Sequence, residues 1–173
     1  MALLRQGFFH VLCDINKLTV FLCFECEILR MKSHKPIIQP QEYMDRISGR
    51  VLLVDDEPAL LKMMSVYLGR RGYVVTTSAT TEAAWAEVQA DSTAFDVAVL
   101  DATMAGLSMD ELALRMLRAN ASLCVIAASG YPVDMTAMES AAPGRVIFLH
   151  KPFAPEMLAE AVRRMIASQE EDL

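Results

Sequence analysis

From Arg50 onward the chain alternates between two hydrophobic periods, and that alternation leaves few folds open to it. Short apolar runs rich in β-branched residues lie at 50–54 (RVLLV), 73–77 (YVVTT), 96–100 (DVAVL), 123–128 (LCVIAA) and 146–149 (VIFL), each followed by a longer segment of helical spacing. Their near-continuous apolar character is that of strands buried on both faces. Helices are expected over 58–70, 81–90, 110–119, 133–141 and 155–167. The first sets Leu60, Leu61, Met64 and Leu68 on one face, with Gly72 where a C-terminal cap glycine is expected. The last sets Met157, Leu158, Ala161, Val162, Met165 and Ile166 in a stripe behind Pro155, a residue suited to a first helical position. Strict alternation of strand and helix implies right-handed crossovers. The fold class is therefore α/β, a five-stranded parallel sheet, doubly wound with helices on both faces.

The expected organisation is a domain over residues 50–168, a short tail over 169–173, and an N-terminal apolar segment and linker over 1–49 outside the core. The two main parts differ in charge: residues 1–49 hold six basic and five acidic residues, whereas the rest holds ten basic and seventeen acidic. A net charge of -6 supplies no broad basic surface, so no direct contact with nucleic acid is expected. An apolar fraction of 54% argues for a folded chain. In residues 1–30 the apolar runs are broken by Asp14, Asn16, Lys17, Glu25 and Glu27, which argues against a membrane span or a cleaved signal. Residues 31–49 have a linker's composition, with two prolines and a glycine. Residues 1–43 are expected to be dispensable for the domain's chemistry, a hydrophobic docking arm being the alternative. Four cysteines are too few for a disulfide-stapled module and fit a reduced, cytoplasmic setting. His10, Cys13, Cys23 and Cys26 have the ligand types of a zinc site, but their Phe and Leu neighbours read better as burial.

In a sheet of this kind functional residues gather at the carboxyl ends of the strands. Those ends present Asp55, Asp56 and Glu57, then Asp101, Ser129 and Lys151. Carboxylates brought this close repel one another unless a cation neutralises them, and hard oxygen ligands suit Mg²⁺. A cation, a lysine and a hydroxyl donor together would stabilise a phosphoryl group in transfer, and a carboxylate would be its nucleophile. Asp101, alone at the end of the central strand, is best placed to attack, while Asp55 and Asp56 hold the metal. The plainer readings are that the acidic residues cap the following helix, that Ser129 forms a turn, and that Phe148 is a core residue.

Val54-Asp55-Asp56-Glu57, Val99-Leu100-Asp101, Ala128-Ser129-Gly130-Tyr131 and Lys151-Pro152-Phe153 together resemble the receiver domain of two-component response regulators. The intervals of 28 residues from Asp101 to Ser129 and 22 from Ser129 to Lys151 agree with that family. The resemblance implies a flavodoxin-like receiver fold with Asp101 as phosphoacceptor. Asp56 and Asp101 would be direct Mg²⁺ ligands, Asp55 would act mainly through metal-bound water, and Thr103 would ligate through its backbone carbonyl. Ser129 would be the switch hydroxyl, Lys151 the cation on the phosphoryl group, Phe148 the rotating aromatic, and Lys151-Pro152 a cis bond. It implies a signalling protein rather than an enzyme, in a stand-alone, chemotaxis-regulator-like form. Its partners would be a sensor histidine kinase or phosphotransfer protein and an unnamed downstream protein target. A non-phosphorylated adaptor and a small Mg²⁺-dependent phosphohydrolase are the alternatives. The loop after Asp101 departs from the family's usual Met-Pro-Gly, reading Met104-Ala105-Gly106, with Met109 where a glycine is usual; the rigidity of that loop is therefore open.

Overall fold

The computed structural model describes residues 49–170. The order is β1 (Gly49–Val54), α1 (Pro58–Gly69), β2 (Tyr73–Ser78), α2 (Thr81–Ala90), β3 (Val97–Asp101), α3 (Met109–Ala119), β4 (Cys124–Ser129), α4 (Thr136–Ala141), β5 (Val146–His150) and α5 (Pro155–Glu170). The strands form one sheet in the order β2-β1-β3-β4-β5, every pairing parallel. The chain moves outward from β1 to β2, then returns across β1 to β3. The crossovers therefore diverge between β1 and β3, which opens a crevice above their carboxyl ends.

Side chains alternate along each strand, so the sheet carries two cores. Val51, Leu53, Val97, Val99 and Ile126 face α1 and α5, meeting Leu61, Met64 and Leu68 from one helix and Leu158, Val162 and Met165 from the other. Leu52, Val54, Ala98, Leu100 and Val125 face α2, α3 and α4, against Ala84, Val88, Leu112, Met116 and Met138.

Four features depart from the sequence reading. Burial on both faces holds for β3, β4 and most of β1 but not for the edge strands: Val74 on β2 and Phe148 on β5 are 49% and 37% exposed. In α1, Leu60 is only half-buried, and the helix ends at Gly69. Gly72 stands beyond the cap residue Arg70, where its positive φ of 91° serves the turn into β2 rather than the cap itself. Helix α4 begins at Thr136, three residues later than its apolar spacing implies, because Asp134 Oδ1 accepts the Thr136 N–H at 3.0 Å and offers the backbone a turn instead. Met157 lies 52% exposed outside the apolar stripe of α5. That helix continues to Glu170, and Gln169 Nε2 donates to Asp96 O at 3.1 Å.

The apolar segment 1–30, its histidine and cysteine pairs, and the linker as far as residue 48 lie outside the described residues. Among the described residues no helix is long and apolar enough to cross a membrane.

Candidate functional site

Four strand ends deliver the crevice. Asp55 directly follows β1, Asp101 and Ser129 are the last residues of β3 and β4, and Lys151 directly follows β5. Backbone hydrogen bonds between neighbouring ends fix them: Asp55 N–H to Ser78 O at 3.2 Å, Ala102 N–H to Ala128 O at 2.9 Å and Lys151 N–H to Ser129 O at 2.8 Å. Position therefore comes from the sheet ladder rather than from flexible loop.

Asp55 and Asp101 are each 5% exposed, and two buried carboxylates require compensation. Lys151 supplies most of it, with Nζ 2.6 Å from Asp55 Oδ2 and 3.1 Å from Asp101 Oδ1. Burial works to lower the lysine pKa, but the hydrogen bonds and charges of Asp55 and Asp101 outweigh it and hold the pKa above its ordinary value. The lysine's apolar surroundings include Leu53, Leu60, Phe153 and Leu158. Remaining lone pairs are met locally: Asp55 Oδ1 accepts Glu57 N–H at 2.9 Å, Asp101 Oδ1 accepts Thr103 N–H at 3.2 Å, and Asp101 Oδ2 accepts the Thr103 hydroxyl at 2.9 Å. Among the described residues no buried side-chain polar atom lacks a partner.

Asp56 is exposed at the mouth, yet carboxylate oxygens of Asp55, Asp56 and Asp101 all lie within 4.8 Å of one another. Three carboxylates against one ammonium leave two negative charges. The donor set, all hard oxygen and of that net charge, fits a divalent cation such as Mg²⁺. Glu57 occupies the N-cap position of α1 but makes no side-chain capping bond, and it lies outside the carboxylate cluster.

The other expected residues surround the crevice unequally. Ser129 is 2% exposed, and its Oγ accepts Tyr131 N–H at 3.1 Å. Phe148 is not the core residue its apolar strand implied: it shares its face of β5 with Val146, under a shortened α4, and is left partly uncovered. Its ring meets His150 edge-on, with centroids 6.3 Å apart and planes at 80°. The Lys151-Pro152 peptide is cis.

The sequence marked Thr103 for its backbone carbonyl and for its place beside the acceptor, where it would shape water access, but its side-chain bond to Asp101 was missed. The available signal was a hydroxyl residue two positions after a strand-end carboxylate, a spacing that favours a local side-chain turn.

Residues 51–163 match the family described as the response regulator receiver domain, and the chain belongs to that family. It is thus a receiver domain of the two-component response regulator class, whose work is phosphorelay signalling. Among curated proteins it is similar to the alginate biosynthesis transcriptional regulatory protein AlgB of Pseudomonas aeruginosa, 34% identical over 119 residues. That match covers 68% of this chain but only 26% of the relative. Among solved structures it is similar to a CheY-like receiver domain protein from Methanospirillum hungatei JF-1, at 25% identity and a TM-score of 0.64, covering 72% of this chain and 98% of that one. It is also similar to the Vibrio cholerae chemotaxis protein CheY4, at 28% identity and a TM-score of 0.58, covering 68% and 98% respectively.

Proposed function

We propose that the chain is a phosphoacceptor of a two-component phosphorelay, taking a phosphoryl group onto Asp101 from a sensor histidine kinase or phosphotransfer protein. The observation that carries this reading is the Asp101 carboxylate itself, buried at the end of the central strand, 3.1 Å from the Lys151 ammonium and grouped with Asp55 and Asp56. An Asp101 oxygen forms a bond to phosphorus as the donor's phosphorus–nitrogen bond breaks, and the nitrogen leaves with the electron pair.

Mg²⁺, held by Asp55, Asp56, Asp101 and the backbone carbonyl of Thr103, would offset the negative charge that otherwise repels an incoming phosphoryl group. The chain's own residues do the rest. Lys151 already spans two carboxylates, so it can pass to a phosphoryl oxygen without leaving the crevice. Ser129, at the neighbouring strand end, offers a hydroxyl on the β4 side. A charge added here biases the protein only through contacts that differ between two states. Phe148, partly uncovered on the edge strand, is the side chain with room to change, and the face around α4 and β5 is where a downstream protein would read it.

The reading makes the chain a cytoplasmic signalling component rather than a turnover enzyme, with no direct contact to nucleic acid. Its test is incubation of the full chain with Mg²⁺ and acetyl phosphate, followed by intact-mass measurement. One added phosphoryl group, lost in Asp101→Asn, is the expected result. Equal labelling of Asp101→Asn would overturn the assignment, and sustained turnover of phosphate esters would favour the phosphohydrolase.

A further inference from the structure

The loop between β3 and α3 carries the Thr103 carbonyl, and it has Ala105 where the family usually has proline. Its ends are tied by neighbours. Ala102 N–H bonds to Ala128 O at 2.9 Å, Thr103 folds back onto Asp101, and Ser108 Oγ caps α3 by accepting Glu111 N–H at 3.3 Å. The middle is held from a different element. Thr81, the first residue of α2, is 1% exposed, and its Oγ1 accepts Leu107 N–H at 3.0 Å while donating to Ala105 O at 3.4 Å. One hydroxyl thus closes both sides of the turn at Gly106.

The fit leaves no clearance. Gly106 has a φ of +100°, and a Cβ placed there would stand 2.5 Å from Thr81 Oγ1 and 2.4 Å from Glu82 Oε1. The glycine is required both for its backbone angle and for the close approach of the loop to α2. Thr80 separately caps α2, its side chain accepting Ala83 N–H at 3.1 Å, so the hydroxyl of Thr81 is not needed to start the helix.

We propose that Thr81 is a positioning residue for the metal: by anchoring the turn at 105–107 it fixes the backbone carbonyl of Thr103 toward the carboxylates of Asp55, Asp56 and Asp101. The inference rests on the reading of the crevice given above. A loop already ordered has less freedom to lose when a cation arrives, and supporting hydrogen bonds of this kind govern affinity without touching the metal. The threonine hydroxyl does here, from outside the loop, what proline would do from within.

The test is titration of the full chain with Mg²⁺ alone, followed through the backbone amide signals of Asp101 to Leu107, for the parent, Thr81→Val and Thr81→Ser. Valine keeps the branched shape and removes both hydrogen bonds; serine keeps the hydroxyl. Thr81→Val should bind Mg²⁺ about tenfold more weakly, with faster hydrogen exchange at Leu107, and Thr81→Ser should stay within about twofold of the parent. A purely structural role would lower the melting temperature of Thr81→Val and leave its Mg²⁺ affinity at the parental value, which would refute the proposal. Should Thr81→Val not fold, Gly106→Ala pushes the loop off Thr81 from the other side; parental Mg²⁺ affinity in that variant would refute it as well. A parent chain that takes up no Mg²⁺ would instead sink the crevice reading, and this inference with it.

Discussion

Replacing Lys151 by methionine removes the ammonium while keeping an apolar stem in the small cavity that Leu53, Leu60 and Phe153 also line. The charge it takes away lies 2.6 Å from one buried carboxylate and 3.1 Å from another. With an effective dielectric of about 20, those separations correspond to gross attractions of about 6 and about 5 kcal/mol. Much of that is offset by the cost of drawing the ammonium out of water, and breaking such a buried pair costs about 3–5 kcal/mol net. The lysine side chain is 24% exposed, so solvent screening brings the expected loss down to about 2–3 kcal/mol. For a domain of this size about 1 kcal/mol moves the midpoint by about 3–4 °C, so Lys151→Met should melt about 6–12 °C below the parent in a chelating buffer. Mg²⁺ should then narrow the gap. Without the lysine the crevice holds three carboxylates and no cation, so the variant should bind the metal more tightly than the parent. Because Mg²⁺ stabilises both chains, the gap closes by the difference between their binding free energies, about 1.4 kcal/mol for each tenfold gain in affinity. Calorimetric melts of both chains with and without Mg²⁺ provide the comparison. Equal melting in chelator, or a gap that widens with Mg²⁺, would refute the view that Lys151 is the counter-cation of the crevice.

Asp56 is exposed at the crevice mouth, so Asp56→Ala should change stability by less than about 0.5 kcal/mol while weakening Mg²⁺ binding at least about tenfold; paired melting and calorimetric titration test both halves. The raised pKa of Lys151 contributes stability that is full below the unfolded lysine value of about 10.4 and is lost as pH rises through the higher folded value. Tyr73 and Cys124, both held up chiefly by burial, weaken parent and Lys151→Met alike at alkaline pH, so a convergence of their denaturation midpoints, expected only above about pH 10, reports the lysine. Met116 is fully buried under the sheet, so Met116→Ala should cost about 2–4 kcal/mol by chemical denaturation yet leave phosphorylation of the folded fraction unchanged.

The alternation of periods made the sheet and its helices legible because each strand's apolar run reports burial directly. Reading the strand ends found Asp55, Asp101, Ser129 and Lys151 because in a parallel sheet those ends meet on one side. Edge position was not legible. The YVVTT run of β2 reads as a strand from its β-branched residues, and nothing local announces that it has a neighbour on one side only. The late start of α4 was hidden because apolar spacing says nothing of Asp134 competing for the Thr136 amide. Thr81 stayed invisible for a different reason: its partners, Ala105 and Leu107, are 24 and 26 positions away, and the bonds are to their backbone, which carries no sequence signal.

The lysine that balances the crevice is 96 positions away from Asp55, on the far side of the last strand to be made. Strand β5 is an edge, joined to the sheet through β4 alone. A growing chain therefore synthesises both buried aspartates long before their cation. Until β5 docks, the half-built sheet holds like charges face to face, and its most polar corner opposes closure. The crevice thus gains its ammonium only when this strand is in place, which ties the site to complete folding and withholds it from fragments that end earlier.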